Sequence, residues 1–115
     1  MATLYVYRYD LKKKIIQANE KDVKETDKQY SVFEKHDTIP FLDKGKMLKS
    51  EIGVVNLGVD RLTVVFLEQN GLKARQAFLD WLKEKRFYHT TEADKYQSCI
   101  DHLRGLQREE HNWIK

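Results

Sequence analysis

Residues 61–86 read RLTVVFLEQNGLKARQAFLDWLKEKR, and the hydrophobic period changes inside them. RLTVVFLE (61–68) is mostly aliphatic, β-branched or aromatic, the composition of a strand buried on both faces. Asn70 is placed to cap a helix that starts at Gly71. Beyond it Ala74, Phe78, Trp81, Leu82 and Lys85 recur at helical spacing. The stem of Lys85 can lie along an apolar surface while its charge stays in water. One stretch therefore carries the switch from strand to helix.

Upstream of it the pattern is strand-like. In TLYVYRYD (residues 3–10) Leu4 and Val6 fall on one side, with Arg8 next in that row, and Tyr5, Tyr7 and Tyr9 on the other. DLKKK (10–14) reads as a turn, and IIQANEKDVKE (15–25) as a second strand that becomes polar. KQYSVFEK (28–35) alternates again. TIPFLDKGKMLKSEIGVV (38–55) is irregular, because Pro40 removes a backbone donor and Gly45 marks a turn.

Downstream the pattern is helical. Thr90 or Thr91 can cap a second helix, with Glu92 and Asp94 in its first turn, where the dipole favours them. Tyr96, Cys99 or Ile100, Leu103 and Leu106 form its stripe, and Trp113 follows one heptad on. Strands followed by helices predict an α+β fold: an N-terminal antiparallel β-sheet over about 1–68, then two C-terminal α-helices over about 71–112, in a single domain of 115 residues.

Charged residues make up 34% of the chain and hydrophobic residues 41%, a globular composition. Lys and Arg number 21 against 18 Asp and Glu, for a net charge of +3. That is too even for a dedicated binder of duplex nucleic acid, and it suits a small anion in a local basic pocket. Cys99, the only cysteine, can form no internal disulfide and reads as a small helix hydrophobe. No window reaches the length of a membrane span. MATLYVYRYD lacks a basic region followed by an apolar stretch, so the expectation is a chain without a leader, in the cytoplasm. A small domain of this kind is also expected to be a homo-oligomer.

Catalysis finds no motif. Ser50 lies in KSEIG without an elbow glycine, Cys99 and His102 sit on or beside the apolar stripe, and the four histidines form no metal-ligand spacing. NLGVD holds one glycine where a phosphate loop needs several. The expectation is a non-enzyme without cofactor or metal.

Binding has more support. Arg104 and Arg108 are four apart on a predicted helix, so both guanidinium forks can converge on one anion. His111, Asn112 and Trp113 follow, which adds an amide for a base edge and a ring for stacking. A solvated helix face explains the same residues. KEKRFYH (83–89) sets basic side chains beside Phe87 and Tyr88, and GVDR (58–61) places Arg61 in a loop before the strongest strand.

LKSEIGVVNLG (48–58), followed by a strand and then KARQAFLDWLKEK (73–85), resembles a layout of small phage and mobile-element proteins of Gram-positive bacteria. One group with that layout is the first type of Thoeris anti-defence proteins. The resemblance covers most of the chain in architecture and residues 48–85 in motif. It implies a sponge that sequesters cyclic ADP-ribose signals, and in some members cyclic oligonucleotides, without cleaving them. The family's arginine pair would fall on Arg104 and Arg108. Its aromatic and arginine pocket residues would fall near Phe87 and Arg61, with Phe87 or Tyr88 stacking on adenine. Two other classes fit the residues: an inhibitor of a host defence protein, and a single-strand nucleic-acid binder that uses YVYRY (5–9) with Lys12, Lys13 and Lys14, its Tyr5, Tyr7 and Tyr9 stacking bases, although tyrosines on a sheet face also read as a half-buried packing layer.

Overall fold

The computed structural model describes residues 1–86 and 93–106. Six strands form one antiparallel sheet: β1 (Ala2–Asp10), β2 (Ile15–Glu25), β3 (Gln29–Ser31), β4 (Lys46–Leu48), β5 (Asn56–Gly58) and β6 (Arg61–Phe66). Their spatial order is β4-β3-β2-β1-β6-β5. Two helices follow, α1 (Gly71–Arg86) and α2 (Ala93–Arg104). The expected α+β order of sheet and then helices is the observed one. No helix among the described residues is long and apolar enough to cross a membrane.

The two faces of β1 sort the core. Tyr7 and Tyr9, with Ile16, Leu62 and Val64, point to the helices and pack against Phe78, Leu82, Cys99, Ile100 and Leu103. Leu4 and Val6, with Val23 and Val65, point the other way and pack against Tyr30, Ile39 and Met47. β6 therefore meets a core on each side, and Leu62 to Phe66 are all buried, as its mostly apolar composition predicts. Tyr7 and Tyr9 retain 1% and 0% of their exposure, so they cannot serve as a base-stacking platform.

The helix start is built as the sequence predicts. The Asn70 side-chain oxygen accepts the Lys73 N–H at 3.0 Å, and the Asn70 N–H donates to the Tyr7 hydroxyl at 2.9 Å. The first bond satisfies an orphan donor of α1, and the second fastens that end to β1. The helices hold each other through Trp81 on Tyr96, edge to face at 5.7 Å. Arg75 also donates to the Leu103 carbonyl at 2.6 Å, capping the negative end of α2 with a cation.

Two expectations are corrected. The third strand pairs over Gln29–Ser31 rather than across 28–35. Beyond Ser31 one bond remains, from the Val32 N–H to the Gly45 carbonyl, and Phe33 turns out to solvent. The second helix, expected to run to about residue 112, ends at Arg104. Gly105 follows in a turn, its N–H shared between the Asp101 and His102 carbonyls, as at many helix ends. Arg108, expected one turn on from Arg104, lies outside the described residues. Thr90, Thr91 and Glu92, expected at the start of α2, lie outside the described residues, as does Trp113.

Buried polar contacts tie α2 to β1. The Tyr9 hydroxyl and His102 Nδ1 stand 2.9 Å apart, and their rings stack. Burial pushes the phenol far above its usual range, so it stays a donor, and burial with nearby Lys14 holds His102 below the ordinary histidine value of 6.5. A neutral ring is therefore favoured in the fold. As pH falls below 6.5, the unfolded chain takes up this proton before the folded one, so stability is lost from there down through the folded value. Urea midpoints are expected to fall between pH 7.5 and 5.5, and His102→Gln is expected to flatten that slope. An equal slope in wild type and variant would remove the histidine from this role.

Candidate functional site

The helix-free face of the sheet changes character along β1. Leu4 and Val6 are covered by the β3–β4 region, whereas Arg8 and Asp10 continue the same row beyond that cover. Strand register sets their neighbours. Arg8 lies opposite Gln17 on β2 and Thr63 on β6, and Thr63 lies opposite Asn56 on β5. One step along, Asp10 lies opposite Arg61. A polar row thus crosses four strands where the apolar cover stops.

Above this row is an open pocket of about 440 Å³, lined by Arg8, Phe41, Asp43, Gly58, Val59, Arg61 and Thr63. Phe41 reaches it from a tight turn closed by the Ile39 N–H on the Lys44 carbonyl at 2.8 Å and anchored by fully buried Ile39. Phe41 and Asp43 both occupy left-handed backbone, at φ 68° and 53°. For a bulky residue such as Phe41 that conformation costs energy, and strain of this kind gathers at binding sites. It brings the ring to 4.3 Å from the Arg8 guanidinium carbon, a cation–π contact.

The two arginines are held differently. Arg8 donates from Nε to the Gln17 side-chain oxygen at 2.9 Å and from Nη2 to the same atom, which leaves Nη1 without a protein partner. Arg61 approaches Asp10 only to 3.8 Å and is about half exposed. Asp10 is committed elsewhere: its Oδ1 accepts the Lys12 and Lys13 N–H groups at 2.9 Å each. Those backbone bonds, the Lys13 one foremost, hold its carboxyl below the usual range. Arg61, half exposed and held to the other Asp10 oxygen only at 3.8 Å, can turn to an anion. Beside it lies a second depression of about 280 Å³, where Lys12 and Lys13 add positive charge and Asp60 bonds Lys12 and Lys95.

Of the residues picked from the sequence, Arg61 stands in this pocket. Arg104 is exposed at the end of α2, on the helical side of the sheet, so the structure does not bring it to Arg61. Phe87, Tyr88, Arg108 and Asn112 lie outside the described residues, as does His111. Arg86, from the basic end of α1, donates to the Gln97 side chain. Arg8, Phe41 and Thr63 escaped the sequence reading. The available signal was Arg8 itself, a charge in register with a buried apolar row.

The single thiol is not set up as a nucleophile. Cys99 is fully buried, its thiol donates to the Leu11 carbonyl at 3.3 Å, and burial pushes its pKa up, away from the reactive thiolate. Among the described residues no three His, Cys, Asp or Glu side chains gather as metal ligands. No protein-family model matches the chain, nor does any curated protein or solved structure.

Proposed function

We propose that this protein binds a small phosphate-bearing ligand with a planar ring, a cyclic nucleotide signal, and holds it without turnover. The observation that carries this is the convergence of Arg8, Arg61 and the Phe41 ring on one pocket. A nucleotide needs paired donors for its phosphate and a flat apolar surface for its base. Two guanidinium groups supply the first and Phe41 the second. The resemblance to Thoeris anti-defence sponges supports the same ligand class.

A protein partner is favoured by a different observation. Among the described residues β5 pairs only with β6, and along this sheet edge Val54, Leu57 and Val59 are 49%, 54% and 89% exposed. Apolar side chains on a free edge fit strand addition. A second copy seated there would lie beside Gly58 and Val59 and narrow the mouth of the pocket, joining a homo-oligomer to the ligand site. A host defence protein would use the same edge.

A thermal-shift panel separates these possibilities, because a ligand that binds only the folded state raises its apparent stability. Cyclic ADP-ribose isomers or cyclic trinucleotides are expected to raise the melting temperature and to be recovered intact by chromatography. A panel without any shift, or a ligand recovered as cleavage products, would contradict sequestration.

A further inference from the structure

We infer that the Thr63 hydroxyl is a third donor to the anion between Arg8 and Arg61, a specificity-determining contact that rests on the ligand reading above. Apart from the tyrosines and Cys99, Thr63 is the only buried polar side chain among the described residues, at 8% exposure. Its hydroxyl has no hydrogen bond to protein, whereas its row neighbour Arg8 is tied to Gln17. No fully buried side-chain N or O atom among the described residues lacks a partner. The unpartnered Thr63 hydroxyl must therefore still meet open space, and the space that Thr63 lines is the pocket.

Valine would fill the same volume on a strand, so what threonine adds here is a hydroxyl that opens into the pocket, held in place by an otherwise buried side chain. That hydroxyl can donate to a ligand seated in the pocket. Position favours the phosphate for that role. Thr63 lies directly across from Arg8 and two residues from Arg61 on the same strand face. Side chains so placed are about 5–7 Å apart at Cβ, close enough to share one tetrahedral anion. The guanidinium groups supply charge, and the short, stiff threonine fixes where the anion sits between them.

Calorimetric titration with cyclic ADP-ribose, and with inorganic pyrophosphate as a ring-free probe, tests this. Thr63→Val is expected to weaken binding about tenfold, the scale of one hydrogen bond to a charged group. Thr63→Ser keeps the hydroxyl and is expected to bind nearly as the wild type does. Without ligand all three should melt alike, which a merely structural role for the hydroxyl would not give. Wild-type affinity in Thr63→Val, with binding still lost in Arg61→Ala, would overturn the role of Thr63 alone. No binding of either probe by the wild type would overturn the ligand reading and this inference together. If Thr63→Val fails to fold, Thr63→Ser against Thr63→Ala makes the same comparison.

Discussion

Phe78→Ala is expected to lower the stability of the domain by about 3–5 kcal/mol. Phe78 is fully buried and stacks on Tyr9 with ring centroids 5.9 Å apart. Its removal would open a cavity between α1 and the sheet, and an aromatic pair of this kind adds about 0.5–1.5 kcal/mol beyond burial alone. A domain of this size has roughly 5–15 kcal/mol in all, so the variant would be close to unfolding at ambient temperature. Trp81 makes the contrast: it is only partly buried and packs edge-on against Tyr96, so Trp81→Ala should cost less. Urea unfolding of both variants checks this. A loss below about 1 kcal/mol for Phe78→Ala would mean that α1 does not seat on the sheet by this face.

Most of the fold was legible because its signals are local. The Asn70 cap, the helix start at Gly71 and the tyrosine row each lie within a few residues and appear where the sequence places them, while the strand before them ends at Phe66, two residues short of the expected Glu68. The shortened third strand was harder to see. Alternation over 28–35 continues in sequence, but pairing depends on where β4 returns, which is non-local. The end of α2 was legible in Gly105 and was overridden by the apolar stripe that continues through Leu106. The site was least legible. Arg8 and Arg61 are 53 residues apart by number and meet only through the β1–β6 register. Phe41 joins them through a turn whose left-handed backbone no glycine announces.

The arginine pair carries the second large effect. Arg61→Ala is expected to weaken binding of cyclic ADP-ribose by about 10- to 100-fold, the worth of a hydrogen bond to a charged group. Arg61 is half exposed and only loosely tied to Asp10, so the fold should survive its loss. Arg8→Ala should cost at least as much affinity, because its fork is preorganised by Gln17 and Phe41 and little freedom is lost on binding. Arg8→Lys should rescue only part, since an ammonium keeps the charge and loses the planar fork. The double variant should fall below detection.

Calorimetric titration of cyclic ADP-ribose into the wild type, Arg8→Ala, Arg61→Ala and Arg104→Ala tests the location of the site most directly. Binding that is lost in the first two variants and kept in Arg104→Ala is the expected result. Binding kept in Arg8→Ala and Arg61→Ala but lost in Arg104→Ala would contradict it and move the site to the end of α2.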